Sequence, residues 1–287
     1  MVTALSRTEL EALLEDDVPY GDLTTDALGI GAASGVMRFT ARDALVLALA
    51  EDAAALIELA GCRVDLLASS GAALEQGAPI LVASGPATAL LRSWKVAQTL
   101  IEIWSGVATE ARAIVRAARA VAPDIAVACT RKNVPGVKRF AVAAIKSGGA
   151  VMHRLGLSET VLLFPEHRVF LGNLSLAEVA AQLRRAVPEK RLTIEVTTLE
   201  QAVVAAVAGF DVIQAEKFSP DQIAALVQRM NAVASVSARP LIAAAGGINA
   251  ANAAAYATAG ADVLVTSAPY VSRPRDVQVQ ITCGERS

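Results

Sequence analysis

The latter part of the chain is a regular alternation of short apolar runs and longer helical patterns, beginning near residue 107. The apolar runs are rich in Val, Ile, Leu and Ala and predict buried strands at IAVACT (125–130), TVLLF (160–164), LTIEVT (192–197), DVIQA (211–215), PLIAAA (240–245) and DVLVTS (262–267). Helical periodicity lies between them at 175–187, 198–209, 219–233 and 249–260. Serial strand–helix units build parallel sheets, so this α/β pattern predicts either an open, incomplete TIM-like barrel of six to seven parallel strands or a doubly wound sheet.

Cap residues mark several boundaries of these predicted helices. Pro220 and Asn249 stand where two helices should begin, and Gly209 and Gly260 stand where two should end. The predicted helix boundaries therefore agree with the strand–helix alternation.

The first 105 residues have a different character, with shorter elements and more turns. SRTELEALLEDD predicts a helix with Ser6 as its N-cap and Glu9 three residues later, the pattern of a capping box. PYGDLTTD predicts a turn-rich loop, and several short strands separated by Gly and Pro follow it. This part of the chain predicts a mixed α and β domain.

Charged and small residues follow the predicted strands of the alternating region. In parallel α/β folds the working site lies at the carboxyl ends of the strands, so these residues are the candidates for function. They are Arg131, Lys132, His153, Arg154, Glu195, Glu216, Gly246, Gly247 and Ser267.

One stretch is cationic although the whole chain has a net charge of -2. No acid lies between Asp124 and Glu159, whereas the stretch holds the cations Arg131, Lys132, Lys138, Arg139, Lys146 and Arg154. Arg and Lys at strand ends predict a pocket for carboxylates or phosphates. The alternative is a solvated basic helix face with a histidine in the core.

Two further features predict ligand contacts. The Gly pair in AAAGGIN (243–249) follows a strand and precedes a helix, which favours phosphate binding, although an ordinary tight turn would look the same. Glu195 and Glu216 lie next to apolar strands, where a carboxylate needs a partner. Ribose hydroxyls or Mg²⁺ would serve, and a salt bridge to Lys132 or Lys217 is the alternative.

Composition excludes several classes. A slightly acidic chain, with a pI near 5.8, is a poor candidate for binding nucleic acid or membranes. The N-terminus has no cationic region followed by an apolar one, so no signal peptide is expected. The dispersed Cys62, Cys129 and Cys283 suggest reduced thiols in a cytoplasmic protein, and neither histidine is spaced like a zinc ligand.

The sequence TRKNVPGVKRFAVAAIKSGGAVMHRLGLSE resembles the central signature of the quinolinate phosphoribosyltransferases, also called nicotinate-nucleotide pyrophosphorylases (carboxylating). GDLTT (21–25) is similar to an early loop of that family, SGVAT (105–109) to a helix start and IEVTTLEQA (194–202) to a Glu-bearing strand. The ModD-type branch, associated with molybdenum transport, is similar in SWKVAQTLIEIWSGVATEAR, MHRLGLSETVLLFPEH and TSAPY.

The resemblance implies an N-terminal α/β sandwich domain over residues 1–106 and an open α/β barrel phosphoribosyltransferase domain over 107–267. Residues 268–287 would pack back onto the first domain. It also implies a homodimer with shared active sites, in which residues near Lys95 reach the partner's site.

The resemblance also implies a role for each candidate residue. Arg131, His153 and Arg154, with Lys95, would bind substrate on the acceptor side, and Lys132 would lie by phosphoribosyl pyrophosphate. Lys138 would be a further substrate-binding residue. Glu195 and Glu216 would hold ribose hydroxyls directly or through Mg²⁺ and water, which makes them catalytic together with Lys132. Gly246, Gly247 and Ser267 would cradle the 5′-phosphate.

The chain departs from the family pattern at several positions. The family's Glu-Arg is Trp94-Lys95 here, and the lysine of its Ile-Lys-Asp-Asn-His is Phe164 in VLLFPEH. Its Asp-Thr-Arg begins with Cys129, and the aspartate of its Leu-Asp-Asn is Glu216. Because these changes concentrate on the acceptor side, the sequence predicts phosphoribosyl chemistry more clearly than it predicts quinolinate.

The expected function is therefore a Mg²⁺-dependent transferase of NAD-biosynthesis type, which moves phosphoribosyl from phosphoribosyl pyrophosphate to an anionic nitrogen-heterocyclic acid. A Schiff-base aldolase using Lys132 or Lys146 is a second enzymatic hypothesis. A non-catalytic or differently specific oxyanion-binding homologue linked to molybdate utilisation is the alternative outside catalysis.

Overall fold

The computed structural model describes residues 3–232 and 239–284. Its helices are α1 Arg7–Asp17, α2 Leu23–Leu28, α3 Ala50–Leu59, α4 Ala87–Arg119, α5 Lys138–Ser147, α6 Pro165–Arg168, α7 Leu176–Ala186, α8 Leu199–Val207, α9 Pro220–Ala232 and α10 Ala253–Thr258. Its strands are β1 Ser34–Ala41, β2 Leu45–Val46, β3 Arg63–Leu66, β4 Ala73–Leu74, β5 Pro79–Pro86, β6 Ala126–Cys129, β7 Val151–Met152, β8 Val161–Leu163, β9 Leu192–Val196, β10 Val212–Glu216, β11 Leu241–Ala245, β12 Val263–Thr266 and β13 Val277–Cys283. Residue 233, the last residue of the helix expected at 219–233, lies outside the described residues. Residues 1–2 and 285–287, which belong to the two terminal segments, also lie outside them.

The chain forms two compact units. The first comprises residues 1–112, 133–149 and 269–287, and the second comprises residues 113–132 and 150–268. The division of domains expected at residue 106 stays a prediction. No helix in the described part of the chain has the length and hydrophobicity needed to cross a membrane.

The first unit is built on an antiparallel sheet. Its four strands lie in the order β13-β1-β5-β3, and β2 pairs with β4 in a separate ribbon. Strand β1 buries Met37 and Phe39 completely, while alternate residues face away from the core. The C-terminal strand pairs with β1 along its length, from Gly35 opposite Cys283 to Ala41 opposite Val277.

Local capping explains where two helices of the first unit begin. Ser6 accepts a hydrogen bond from the Glu9 amide at 3.4 Å, and the Glu9 carboxylate accepts from the Ser6 amide at 2.8 Å. The predicted capping box is therefore confirmed. The loop predicted over PYGDLTTD is wrong in part, because Asp22 accepts from the Thr24 and Thr25 amides and starts α2.

The second unit is an open barrel of seven parallel strands in the order β7-β6-β12-β11-β10-β9-β8. This order is that of a barrel whose wall is broken between β7 and β8, so the predicted α/β fold and strand number are confirmed. One face of the sheet is a fully buried apolar row formed by Ile194, Ile213 and Ile242 in register.

Small side chains on the opposite face leave space inside the barrel. Ala243 and Ala245 of β11 lie in the same rows as Gln214 and Glu216 of β10. Ala126 and Ala128 continue these rows through β12. Since alanine fills little volume, the interior at the carboxyl ends of the strands is open to a ligand.

Two predicted helix boundaries are wrong. Residues 105–109, which were expected to start a helix, lie inside the continuous helix α4. Helix α10 begins at Ala253 rather than at Asn249. Asn249 instead closes a turn, in which its amide donates to Asn252 Oδ1 at 2.9 Å and its own Oδ1 accepts from the Ala251 amide at 2.9 Å.

Candidate functional site

A cavity of about 680 Å³ lies in the second unit, at the carboxyl ends of its parallel strands. Its walls include residues from or directly after all seven strands, as the α/β barrel rule requires. The lining residues are Thr130, Arg131, Lys132, His153, Arg154, Leu162, Phe164, Glu166, His167, Glu195, Gln214, Glu216, Ala245, Gly246, Gly247, Val265, Thr266 and Ser267.

Arg154 is the buried cation of this cavity. Only 5% of its surface is exposed, whereas Arg131 and Lys132 are exposed. None of the ion pairs among the described residues involves a side chain that lines the cavity. Burial lowers the pKa of the Arg154 guanidinium, and the charge of Arg131 lowers it further. A buried cation without a carboxylate partner favours an anionic ligand.

His153 stands beside Arg154, in surroundings that favour the neutral form of its imidazole. Burial lowers the pKa of its imidazole, and the charges of Arg154 and Arg131 lower it further, although contact with the Gln214 side chain acts in the opposite direction. The His153 amide donates to the Cys129 carbonyl at 2.8 Å, which fixes the backbone where β7 ends. A neutral imidazole here can donate or accept one hydrogen bond without adding charge to the site.

Phe164 forms an aromatic part of the cavity wall after β8. The Arg154 guanidinium carbon lies 5.5 Å from the centroid of its ring, within cation–π range. The His167 ring stacks on Phe164 with centroids 5.9 Å apart, and its Nδ1 accepts a hydrogen bond from the Phe164 amide at 2.9 Å. The side chain that follows β8 therefore supplies a flat apolar surface and no charge.

Glu195, Gln214 and Glu216 form the acidic side of the cavity. Strand register puts Gln214 opposite Glu195, and the Gln214 Nε2 donates to Glu195 Oε2 at 2.7 Å. Burial raises the pKa of the Glu195 carboxyl, the Gln214 hydrogen bond opposes this, and the charge of Glu216 raises it again. Two carboxylates with free oxygens can accept hydrogen bonds from hydroxyl groups.

The glycine pair after β11, Gly246 and Gly247, lies in close contact with Glu216 and Lys217. A Cβ on Gly246 would lie 2.9 Å from Lys217 Cγ and 3.1 Å from Glu216 Oε1, and both glycines have positive φ, 92° and 75°. Lys217 itself has φ 60°, and its amide donates to the Ala245 carbonyl at 2.7 Å. Only glycine lets the chain turn this tightly beside Glu216.

The adjacent loop after β12 is held by a buried threonine. Thr266 Oγ1 donates to the Ile248 carbonyl at 2.6 Å and accepts from the Ala268 amide at 3.0 Å. Ser267 lies between Thr266 and Ala268, which these hydrogen bonds hold in place, and it lines the same cavity as the glycine pair. Glycine amides with a serine hydroxyl are suitable donors for a phosphate.

The structure brings together nine of the eleven residues predicted from the sequence. Lys95 and Lys138 are the exceptions, because both belong to the first unit and neither lines the cavity. Lys95 lies 4.5 Å from the Trp94 ring and donates to Gln98 Oε1 at 3.1 Å. The roles assigned to these eleven residues stay predictions.

Two of the alternatives from the sequence receive no support. The salt bridge between Glu195 or Glu216 and Lys132 or Lys217 is not among the ion pairs of the described residues. A Schiff-base lysine needs a desolvated amine, whereas Lys132 and Lys146 are both exposed. Cys129 is completely buried and burial raises the pKa of its thiol to about 12, as suits a core residue.

Gln214 and Glu166 are cavity residues that sequence reasoning missed. Gln214 lies two residues before Glu216 on the same strand, so period-two alternation puts both on one face and could have identified it. Glu166 lies in the short helix α6, and only the turn after Phe164 brings it to the cavity. Within the described ranges, no group of three or more His, Cys, Asp or Glu side chains could hold a metal ion.

Both parts of the chain match models of one family. The model described as the N-terminal domain of quinolinate phosphoribosyl transferase matches residues 22–105, and the C-terminal domain model matches residues 107–280. The ModD pyrophosphorylase of Rhodobacter capsulatus is 48% identical over 247 residues, which cover 86% of this chain and 94% of that protein.

Two further relatives extend this comparison. The nicotinate-nucleotide pyrophosphorylase (carboxylating) of Mycobacterium leprae is 31% identical over 268 residues, 92% of each chain. The crystal structure of NadC from Streptococcus pyogenes superposes with a TM-score of 0.86 at 25% identity, over 99% of this chain and 100% of that one. On these grounds the chain belongs to the quinolinate phosphoribosyl transferase family of pentosyltransferase enzymes, in which it is similar to the ModD pyrophosphorylases.

Proposed function

We propose that the protein is a Mg²⁺-dependent phosphoribosyltransferase that transfers phosphoribosyl from phosphoribosyl pyrophosphate to a nitrogen-heterocyclic acid. The observation that carries this proposal is the buried, unpaired Arg154 in a cavity that also contains a glycine cradle and two carboxylates. Family membership supplies the reaction type, and the cavity supplies groups suited to both substrates.

The phosphoribosyl donor fits the side of the cavity formed by β9 to β12. The amides of Gly246 and Gly247 and the Ser267 hydroxyl would bind the 5′-phosphate. Glu195 and Glu216 would accept hydrogen bonds from the ribose hydroxyls, since both carboxylates line the cavity and neither has an ion-pair partner among the described residues. The Gln214 amide holds Glu195 in one orientation for this purpose.

The acceptor fits the side formed by the ends of β6, β7 and β8. Arg154 and Arg131 would bind its carboxylate, and the neutral His153 would add one hydrogen bond. Lys132 is exposed at the cavity wall, where its ammonium would offset the charge of the departing pyrophosphate. This arrangement would hold the ring nitrogen of the acceptor towards C1 of the ribose.

The donor set of the cavity fits Mg²⁺ that arrives with a polyphosphate. Mg²⁺ prefers oxygen ligands, keeps several waters and binds through one or two carboxylates plus substrate phosphates. Glu195 and Glu216 supply those two carboxylates, directly or through water, and no larger cluster exists among the described residues. When bound, the ion would neutralise charge on the leaving pyrophosphate.

The transfer needs no covalent intermediate on the protein. The lone pair of the acceptor nitrogen forms the new bond to C1, while the bond from C1 to the pyrophosphate oxygen breaks and pyrophosphate leaves with that electron pair. The protein's contribution is position and electrostatic stabilisation of an oxocarbenium-like state. A general base is not required for this step, so neither of the two histidines that line the cavity needs to take a proton.

A homodimer with shared active sites is part of this proposal. Its support is family resemblance, and it would give Lys95 and Lys138 of the first unit a role at the partner's site. Light scattering of the purified protein measures the mass of the assembly. Mixing Lys95→Ala chains with Arg154→Gln chains then tests sharing, since activity recovered on mixing requires that one dimer contain an intact site.

The proposal is tested by thermal shift and pyrophosphate release. The purified chain is incubated with phosphoribosyl pyrophosphate and Mg²⁺, with and without a panel of pyridine and purine acids. We expect stabilisation by phosphoribosyl pyrophosphate with Mg²⁺, and acid-dependent release of pyrophosphate. Replacement of Mg²⁺ by EDTA should remove both.

The same thermal-shift and pyrophosphate-release experiments can also reject the proposal. No stabilisation by phosphoribosyl pyrophosphate and no turnover with any acid would reject the transferase. If calorimetry then detected molybdate or another oxyanion bound with an intact Arg154, a non-catalytic oxyanion-binding homologue would be the better description.

A further inference from the structure

We infer that the acceptor is an aromatic nitrogen heterocycle that carries a single carboxylate, and that Phe164 and Glu166 exclude a second one. This inference rests on the proposed transferase function, which it narrows to a class of acceptor. Three observations support it.

The first observation is that the buried part of the cavity offers one cation to an acceptor. Arg154 is 5% exposed and has no carboxylate partner among the described residues. One carboxylate on the ligand would satisfy its guanidinium through paired hydrogen bonds. Arg131 is exposed and would share that one carboxylate with Arg154, whereas Lys132, which is also exposed, would be taken by the pyrophosphate of the donor.

The second observation is the apolar surface next to Arg154. Phe164 contacts both the Arg154 guanidinium and the His167 ring, and His167 Nδ1 is already engaged by the Phe164 amide. Leu162 and Val265 add further apolar surface to the cavity. A flat aromatic ring suits this wall, whereas a carboxylate placed against Phe164 would lose its water and gain no partner.

The third observation is the charge balance of the cavity. Its lining has three basic side chains (Arg131, Lys132 and Arg154) and three carboxyl side chains (Glu166, Glu195 and Glu216), and burial beside these cations favours the neutral form of His153. Glu166 follows Phe164 by two residues, and its charge acts on Glu195. A donor with several phosphate charges binds these cations, so a second acceptor carboxylate would find no further counter-charge among the residues that this chain brings to its own cavity, and Glu166 would repel it.

The test compares two acids that differ by one carboxylate. Isothermal titration measures binding of pyridine-3-carboxylate and pyridine-2,3-dicarboxylate to the full chain, with and without phosphoribosyl pyrophosphate and Mg²⁺. We expect the monoacid to bind about tenfold or more tightly than the diacid. Arg154→Gln should weaken the monoacid by a similar factor.

Variants at the two specificity positions should reverse the preference. Phe164→Lys is expected to tighten the diacid about tenfold or more relative to the monoacid, because it restores a cation at the wall. Val169→Lys adds the same charge at an exposed position outside the cavity and should leave the ratio unchanged. Glu166→Gln, at an exposed site that tolerates substitution, should shift the ratio in the same direction as Phe164→Lys, and Glu189→Gln is its control.

The outcomes separate this inference from the proposed function. Pyrophosphate release with the diacid and none with the monoacid would overturn the inference and leave the transferase standing. Tighter binding of the diacid, or binding of neither acid, would also overturn it. Preference for the monoacid without any response to phosphoribosyl pyrophosphate would support the acceptor site and reject the transferase.

Discussion

The Arg154 guanidinium carbon lies 5.5 Å from the centroid of the Phe164 ring. Arg154 follows β7 and Phe164 follows β8, and these are the two edge strands of the open seven-stranded sheet. The contact therefore spans the gap where the barrel wall is broken, and it positions a buried cation inside the cavity. An interaction of this kind contributes about 2 kcal/mol when desolvated.

Arg154→Gln should weaken binding of a heterocyclic monoacid about tenfold or more, because a charge-assisted pair contributes about 1.5–3 kcal/mol. Thermal stability should change little, because loss of the cation–π contact with Phe164 opposes the gain from removing a buried cation that has no carboxylate partner among the described residues. Calorimetry and a melting curve measure the two effects, with the exposed Arg185→Gln as control. Unchanged affinity for the monoacid would show that Arg154 does not bind it.

Gly246→Ala should destabilise the fold more than Gly247→Ala. Both positions have positive φ, which costs alanine about 1–2 kcal/mol. A Cβ on Gly246 would also meet Lys217 Cγ at 2.9 Å, whereas a Cβ on Gly247 meets nothing within 4 Å. Overpacking adds about 1–3 kcal/mol, so urea unfolding should separate the two variants by at least about 1 kcal/mol. Equal costs would mean that the loop relaxes freely.

Gln214→Leu should move the acidic limb of the pH–rate profile to higher pH. The Gln214 amide hydrogen bond opposes the effect of burial on the pKa of the Glu195 carboxyl, so its loss raises that pKa further. Ionised Glu195 then appears only at higher pH, and kcat/KM falls first on the acid side. The exposed Gln182→Leu is the matched control. If kcat/KM falls at every pH while the acidic limb stays at the same pH, Gln214 has a purely structural role.

The imidazole of His153 should titrate below its ordinary pKa of 6.5. Burial is the first cause and the Arg154 charge is the second, so Arg154→Gln should raise the pKa of His153 without restoring it fully. NMR of the imidazole nitrogens follows the titration directly, and His153→Asn assigns the signal, since the chain has two histidines. A pKa above 6.5 in the wild type would contradict the neutral state used in the site.

Several elements could be predicted because their causes are local. The capping box of α1 depends on Ser6 and Glu9, which are three residues apart, and the structure contains both hydrogen bonds. The strands of the barrel were predictable because buried parallel strands are continuous apolar runs. Five of the seven lie within the expected ranges, a sixth, Val212–Glu216, extends one residue past its range, and the seventh, Val151–Met152, lies in the apolar stretch before His153.

Two helix starts were predicted wrongly. The helix start expected at 105–109 is absent because α4 is one helix of 33 residues, and no Gly or Ser within it is enough to end it. Asn249 was expected to start a helix, but its side chain forms a turn, and the helix begins four residues later at Ala253. In both places a residue type that is common at helix starts did not by itself determine where the helix begins.

The sequence by itself determined the fold class, the strand ends at which function is expected and the family, because each depends on residue order and spacing. Tertiary structure alone decided that Arg154 is buried against Phe164, that Gln214 holds Glu195, and that Glu166 reaches the same cavity. The physical reason is that burial and charge balance are properties of side chains that converge from different strands. Those properties, rather than the motifs, indicate which acceptor the cavity suits.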